Sequence, residues 1–200
     1  MLYGKKILIL FILIAIVANT SMICLLTVWT MKDSASLKKV ESDLQQLNRA
    51  VEAEIKFREE ILPQLKKSAA VLSKYNPSLD YATAMTYAFT IYRCSDDDLP
   101  FDILTSLIVV ESSADHKAVS RRGALGLMQV MPGTWDYDRE VLFDPYKNIE
   151  AGSAILKYYI QRYGLIEGLR AYNSGNRVAV NSRAAAHFAR KIVTIANQHF

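Results

Sequence analysis

The hydrophobic pattern divides the chain into three stretches. From Ile7 to Thr30, "ILILFILIAIVANTSMICLLTVWT", 24 residues carry no charge. A helix of that length measures about 36 Å, enough for the roughly 30 Å hydrocarbon core of a bilayer. The stretch predicts a transmembrane signal anchor, with residues 1–33 as cytoplasmic tip and span. The polar trio Asn19, Thr20 and Ser21 admits a second reading. Lys5 and Lys6 would open a signal peptide cut near Ala18. The apolar run resumes at Met22 and continues to Trp29, which favours the anchor. A signal-peptide core is typically only about 7–15 residues long. Lys5 and Lys6 orient the N-terminus to the cytoplasm and everything after Thr30 outside.

The second stretch, residues 34–78, has a heptad pattern. Leu37, Val40, Leu44, Leu47 and Val51 are spaced 3-4-3-4, and Ile55 follows after a four-residue stutter. Leu62, Leu65, Ala69 and Leu72 continue the row. The pattern predicts a helical stalk, either a parallel homodimer or an amphipathic helix that packs on the domain or spaces it from the membrane, broken or kinked at Pro63.

The third stretch, residues 79–200, has helical periodicity throughout. After the turn "YNPSLDY", apolar spacing predicts helices over Tyr81–Arg93, a segment from Pro100 to about Glu111, Asn148–Tyr163, Leu165–Tyr172 and Arg183–His199. Gly164 is the expected stop of the third. A long loop runs to about Asp144. No segment alternates as a strand, so the fold class is all-α.

Charge narrows the function classes. The net charge is +4, but residues 1–79 hold 11 Lys and Arg against 7 Asp and Glu, whereas residues 80–200 hold 13 of each. A nucleic-acid binder concentrates its positive charge on the working domain, so no nucleic acid is expected. Cys24 falls in the span and Cys94 in the third stretch, which argues against a disulfide; Cys94 reads as a small buried apolar residue. His116, His187 and His199 have no metal-ligand spacing, and no cofactor is implied.

The chemistry begins with Glu111, directly after Leu107, Ile108, Val109 and Val110. Burial and the negative end of a helix both disfavour an ionised carboxylate. An acid kept protonated near neutral pH is what general-acid cleavage of a glycosidic bond needs. The alternative is a helix-end Glu facing water. Asp115, four residues on, reads as a loop-start or surface residue. Downstream, Gln129 sits among Leu127, Met128, Val130 and Met131, and could offer donor and acceptor to a sugar. Tyr172 and Asn173 follow at the end of a short helix. Tyr158 and Tyr159 are either core or sugar-stacking platforms.

Three motifs then give a resemblance. "ES" at Glu111–Ser112, "GLMQ" at Gly126–Gln129 within the longer run Ser120–Thr134, and "AYN" at Ala171–Asn173 occur in the order and spacing of the soluble-lytic-transglycosylase type of lytic transglycosylase. The similarity covers about Tyr81 to Ile195. It implies a lysozyme-like α fold and cleavage of peptidoglycan with formation of a 1,6-anhydromuramyl end. It implies Glu111 as the single catalytic acid and base. Ser112, Ser120, Met128, Gln129, Tyr172 and Asn173 would be substrate-binding or supporting residues, with Ser112 holding Glu111 or the loop. One position departs from the family: the last helix has Phe188 where a tyrosine hydroxyl usually approaches the acid. Tyr172 could supply the hydroxyl instead. A hydrolytic muramidase, or a weakly active scaffold in an envelope-spanning machine, are the competing functions.

Overall fold

Helix α1, Ser34–Lys56, leads through a π-helical turn, Phe57–Ile61, directly into α2, Leu62–Tyr75. The residues stay helical across Pro63, the position expected to break or kink the helix, and a π turn directly precedes it. A π turn adds one residue to the helical circuit, so the ladder already departs from i→i−4 bonding where the proline ring would obstruct it. Pro63 then sits in the first turn of α2, where a missing N–H costs nothing.

The structure, a computed structural model, describes residues 13–24, 27, 34–133, 135–175 and 182–200. The chain forms two compact units, Met1–Phe57 and Arg58–Phe200. In the first, residues 13–24 are helical. The hydroxyls of Thr20 and Ser21 donate to the carbonyls of Ile16 and Val17, each at 2.9 Å, so the polar trio does not interrupt this helix. Among the described residues no helix is long and apolar enough to cross a membrane. The expected span Ile7–Thr30 extends beyond residues 13–24 on both sides, largely outside the described residues.

The second unit adds α3, Tyr81–Cys94; α4, Phe101–Ser112; α5, Arg139–Phe143; α6, Pro145–Tyr163; α7, Leu165–Ser174; and α8, Arg183–His199. Every named element among the described residues is helical, and two isolated bridges, Val119 with Leu125 and Leu125 with Val130, shape the long loop. Carboxylates and a hydroxyl cap three of these helices, α3, α6 and α8. Asp80 accepts from Thr83 N at 2.9 Å, Asp144 from Tyr146 N and Lys147 N at 2.9 Å, and Ser182 from Ala185 N at 3.1 Å.

Helix α4 is the centre of the unit. It contacts α2, α3 and α8, and every residue from Ile103 to Val109 is buried. Helix α2, read from sequence as the end of the stalk, belongs to this unit. Its Leu65, Ala69 and Leu72 are covered, and its buried Ser68 hydroxyl lies 2.9 Å from the Thr105 hydroxyl of α4. The row that resembled a continuing seam is the inner face of a core helix. Helix α5 falls inside what reads in sequence as loop, and contributes one buried residue, Leu142.

Candidate active site

Helix α4 ends with Glu111 and Ser112, and two consecutive non-glycine residues, Ser113 and Ala114, then take positive φ. This sharp exit leaves Glu111 half-buried at the dry end of the most apolar helix in the unit. Burial pushes its carboxyl up to about 8. Among the described residues no side chain or backbone group hydrogen-bonds the carboxylate. Nothing there favours the ionised form against desolvation.

The loop carrying Gly126–Gln129 is fastened to Ser112, the residue next to this acid. Leu125 and Val130 exchange backbone hydrogen bonds at 2.9 and 3.0 Å, pinching the four residues between them into a tight turn. The Ser112 hydroxyl lies 2.8 Å from Leu127 O and 3.1 Å from Ile108 O. Of the two roles expected for Ser112, it fills the second: it holds the loop. The Tyr172 hydroxyl donates to Met128 O at 2.8 Å. Its proton is therefore committed to the loop and does not replace the hydroxyl missing at Phe188, which is itself buried in α8. Tyr172 nonetheless faces Glu111. Desolvation first, and the neighbouring carboxylate second, hold its phenol well above the usual range.

Three residues differ in detail from the sequence expectation. Met128 has no solvent exposure; its side chain packs toward Ser153 and Gly152, so it supports the site from the core rather than touching a ligand. Ser120 closes a turn, its hydroxyl accepting from Ala124 N at 2.9 Å. Gln129, at φ +51°, uses its amide nitrogen internally, donating to Ala118 O at 3.1 Å and Gly126 O at 2.9 Å. Only its carbonyl oxygen remains for a ligand among the described residues, not the donor and acceptor pair the sequence suggested. Asn173 is exposed in the last turn of α7. Asp115 receives Lys117 N at 2.9 Å in a surface turn, as a loop-start residue does.

A cavity of about 90 Å³ opens beside the loop, lined by Gln129, Met131, Trp135, Ile155, Tyr159 and Tyr172 among others. Its rim is aromatic. The Trp135 ring lies 4.9 Å from that of Tyr158 and 5.8 Å from that of Tyr159, both edge-on. Trp135 is 42 % and Tyr158 45 % exposed. Trp135 received no role from the sequence; its position just after the Pro132–Gly133 turn was the available signal. Among the described residues no group of His, Cys, Asp and Glu is arranged to hold a metal. Cys94 is half-buried rather than enclosed, and burial raises its thiol.

Residues 91–193 match the Transglycosylase SLT domain family. A transglycosylase of Enterobacteria phage PRD1 is 35 % identical over 79 residues, covering 38 % of this chain and 30 % of that protein. The soluble lytic murein transglycosylase of Escherichia coli is 33 % identical over 94 residues, covering 40 % and 15 %. The membrane-bound lytic murein transglycosylase C of Pectobacterium atrosepticum is 40 % identical over 73 residues, covering 30 % and 20 %. The matches thus span less than a third of each of these relatives. Among solved structures, an inactive mutant of lytic transglycosylase Slt from Pseudomonas aeruginosa superposes with a TM-score of 0.50 at 20 % identity, over 66 % of this chain and 27 % of that one. The helical fold and a match across more than half the chain lead to one conclusion: this chain belongs to the Transglycosylase SLT domain family.

Proposed function

We propose that the chain is a peptidoglycan lytic transglycosylase with Glu111 as its single acid and base. The observation that carries the reading is the Glu111 carboxyl, raised by burial to about 8 and without a hydrogen-bond partner among the described residues. At neutral pH it is mostly protonated and able to give its proton to the oxygen between N-acetylmuramic acid and N-acetylglucosamine. The bond from that oxygen to the muramyl carbon breaks, and the muramyl acetamido group shares the positive charge. Glu111, now ionised in a dry site, is a strong base. It takes the proton of the muramyl 6-hydroxyl as that oxygen bonds to the same carbon. The 1,6-anhydro ring closes, the proton returns to Glu111, and no water is consumed.

A two-carboxylate glycosidase requires a second acid opposite the first. Asp115 is engaged in a surface turn, which supports the one-acid route. The Gln129 carbonyl, Asn173 and the rim of Trp135, Tyr158 and Tyr159 are the groups for sugar hydrogen bonding and stacking. The 24 uncharged residues Ile7–Thr30 support a single-pass anchor, with the second unit acting on the wall from outside the inner membrane. The heptad positions of α1 support its self-association as a homodimer or its use as a spacer near an envelope machine.

Full-length protein in detergent, incubated with purified peptidoglycan, gives the test. The expected products are muropeptides lighter by one water than the corresponding reducing ends, with their yield cut by about 10²–10⁴-fold in Glu111→Gln. Reducing-end products would instead assign a hydrolytic muramidase. Equal activity of parent and Glu111→Gln would remove Glu111 from the mechanism.

A further inference from the structure

Asn148 on α6 was not singled out by any motif, yet its side-chain amide makes three hydrogen bonds. It has no solvent exposure. Its Oδ1 accepts from Met128 N at 2.8 Å, and its Nδ2 donates to Leu125 O at 2.8 Å and Leu142 O at 3.0 Å. Both amide protons and an acceptor lone pair are engaged. The bond to Met128 N has a counterpart across the same peptide group. That group's carbonyl, Leu127 O, is the one that Ser112 holds at 2.8 Å. A trans peptide points its N–H and C=O in opposite directions. Asn148 and Ser112 therefore grip a single rigid plane from opposite sides. The next carbonyl along, Met128 O, takes the Tyr172 hydroxyl. Three bonds thus fasten two successive peptide groups between Asn148, Tyr172 and the residue adjoining Glu111.

The backbone is fitted to this amide. A Cβ on Gly126, where φ is +73°, would lie 2.4 Å from Asn148 Nδ2 and 2.7 Å from its Cγ. No side chain at 126 is compatible with Asn148 where it stands.

We propose that Asn148 is a positioning residue: it locks the Leu127–Met128 peptide against Ser112 and Tyr172, and so keeps the loop closed as the wall that excludes water from Glu111. Removing the Asn148 amide leaves a buried donor, Met128 N, and the Leu142 carbonyl without their partner, while Leu125 O keeps only Val130 N, and such groups draw water in. Burial is what raises the Glu111 carboxyl, with no neighbouring charge acting on it, and the carboxyl in turn adds to the rise of the Tyr172 phenol on α7. Exclusion of water is then what sets the proton affinity, and the loop controls it. The inference rests on Glu111 being the acid of the proposed reaction.

The readout is the titration of Glu111 in the full chain, followed by ¹³C NMR of its carboxyl and, separately, by the alkaline limb of the pH–rate profile on purified peptidoglycan. The parent is expected to titrate near 8. Asn148→Ala and Asn148→Ser are expected to lower that midpoint by about one unit or more, as water reaches the carboxyl. They should also lower kcat more than they raise KM. Gly126→Ala should act in the same direction by displacing the amide. The double variant Asn148→Ala/Gly126→Ala should shift less than the sum of the two single variants, because the clash with the amide goes with the side chain while the φ of +73° and the 3.0 Å approach to Leu142 O remain. A purely structural role would reduce the folded fraction at every pH and leave the midpoint in place. An unmoved midpoint in any folded single variant overturns the proposal, and Gly126→Ala supplies it if Asn148→Ala does not fold. If the parent has no activity on peptidoglycan, the proposed function fails, while the NMR titration still decides the role of Asn148.

Discussion

Helices α1 and α4 are written in the same apolar alphabet and end in opposite environments. On α1, Leu44 and Leu47 are 39 % and 53 % exposed; on α4, Leu104 and Leu107 are fully buried. The α1 row is a narrow heptad stripe with charged and amide residues around it. Helix α4 is buried on every side from Ile103 to Val109, with Thr105 and Ser106 as its polar side chains there, and helices α2, α3 and α8 surround it. A narrow stripe asks for one partner; an all-round apolar helix needs to be enclosed. Enclosure has a chemical consequence that a stripe does not. An acid placed at the end of an enclosed helix loses its water, and Glu111 is that acid.

The comparison can be broken by measurement. The largest effect is expected from Leu107→Ala, which should cost about 2–5 kcal/mol in chemical unfolding followed by circular dichroism, since it empties a filled site. A cost under about 1 kcal/mol would mean that α4 is not the enclosed centre of the unit. Next comes Glu111→Gln. With its carboxyl at about 8 in the folded state against an ordinary 4.5, the folded protein holds a proton that the unfolded chain has released between those values. Stability therefore falls as pH rises through that window and stays lower above it. Glu111→Gln should match the parent at pH 4 and exceed it by about 2–4 kcal/mol at pH 8, a margin discounted for the part of the residue open to solvent. A gain independent of pH would point to packing and away from desolvation. The smallest effect is expected at Leu47→Ala, within about 0.5 kcal/mol in the same unfolding experiment. A cost like that of Leu107→Ala would show that the α1 stripe is covered in solution, and the dependence of that cost on protein concentration would identify a second copy as the cover.

Much of the fold was legible in the residues. Helices expected over 81–93, 148–163, 165–172 and 183–199 occur as α3, α6, α7 and α8 within a few residues. Helix α5 was not legible, because five residues cannot display a period. Pro63 reads as a break or kink, and a π turn stands directly before it, where an added residue in the helical circuit relieves the steric conflict with the proline ring. The site was legible as a set of motifs rather than as a set of roles. Glu111 stands where the apolar run and the "ES" pair put it. Gln129 and Met128 turned inward, and Trp135 and Asn148 entered the picture only once the chain was folded.

The residues by themselves determined the helices, their caps and the placing of an acid after an apolar run, because each depends on neighbours within one or two turns. Tertiary structure decided what each polar group does. Ser112 meets Leu127 across 15 positions, Asn148 meets Met128 across 20, and Tyr172 meets Met128 across 44. A buried donor must find an acceptor, but the sequence does not say which of many carbonyls will be within 3 Å of it. That choice is made when α4, α6 and α7 close on the loop, and the same closure removes water from Glu111.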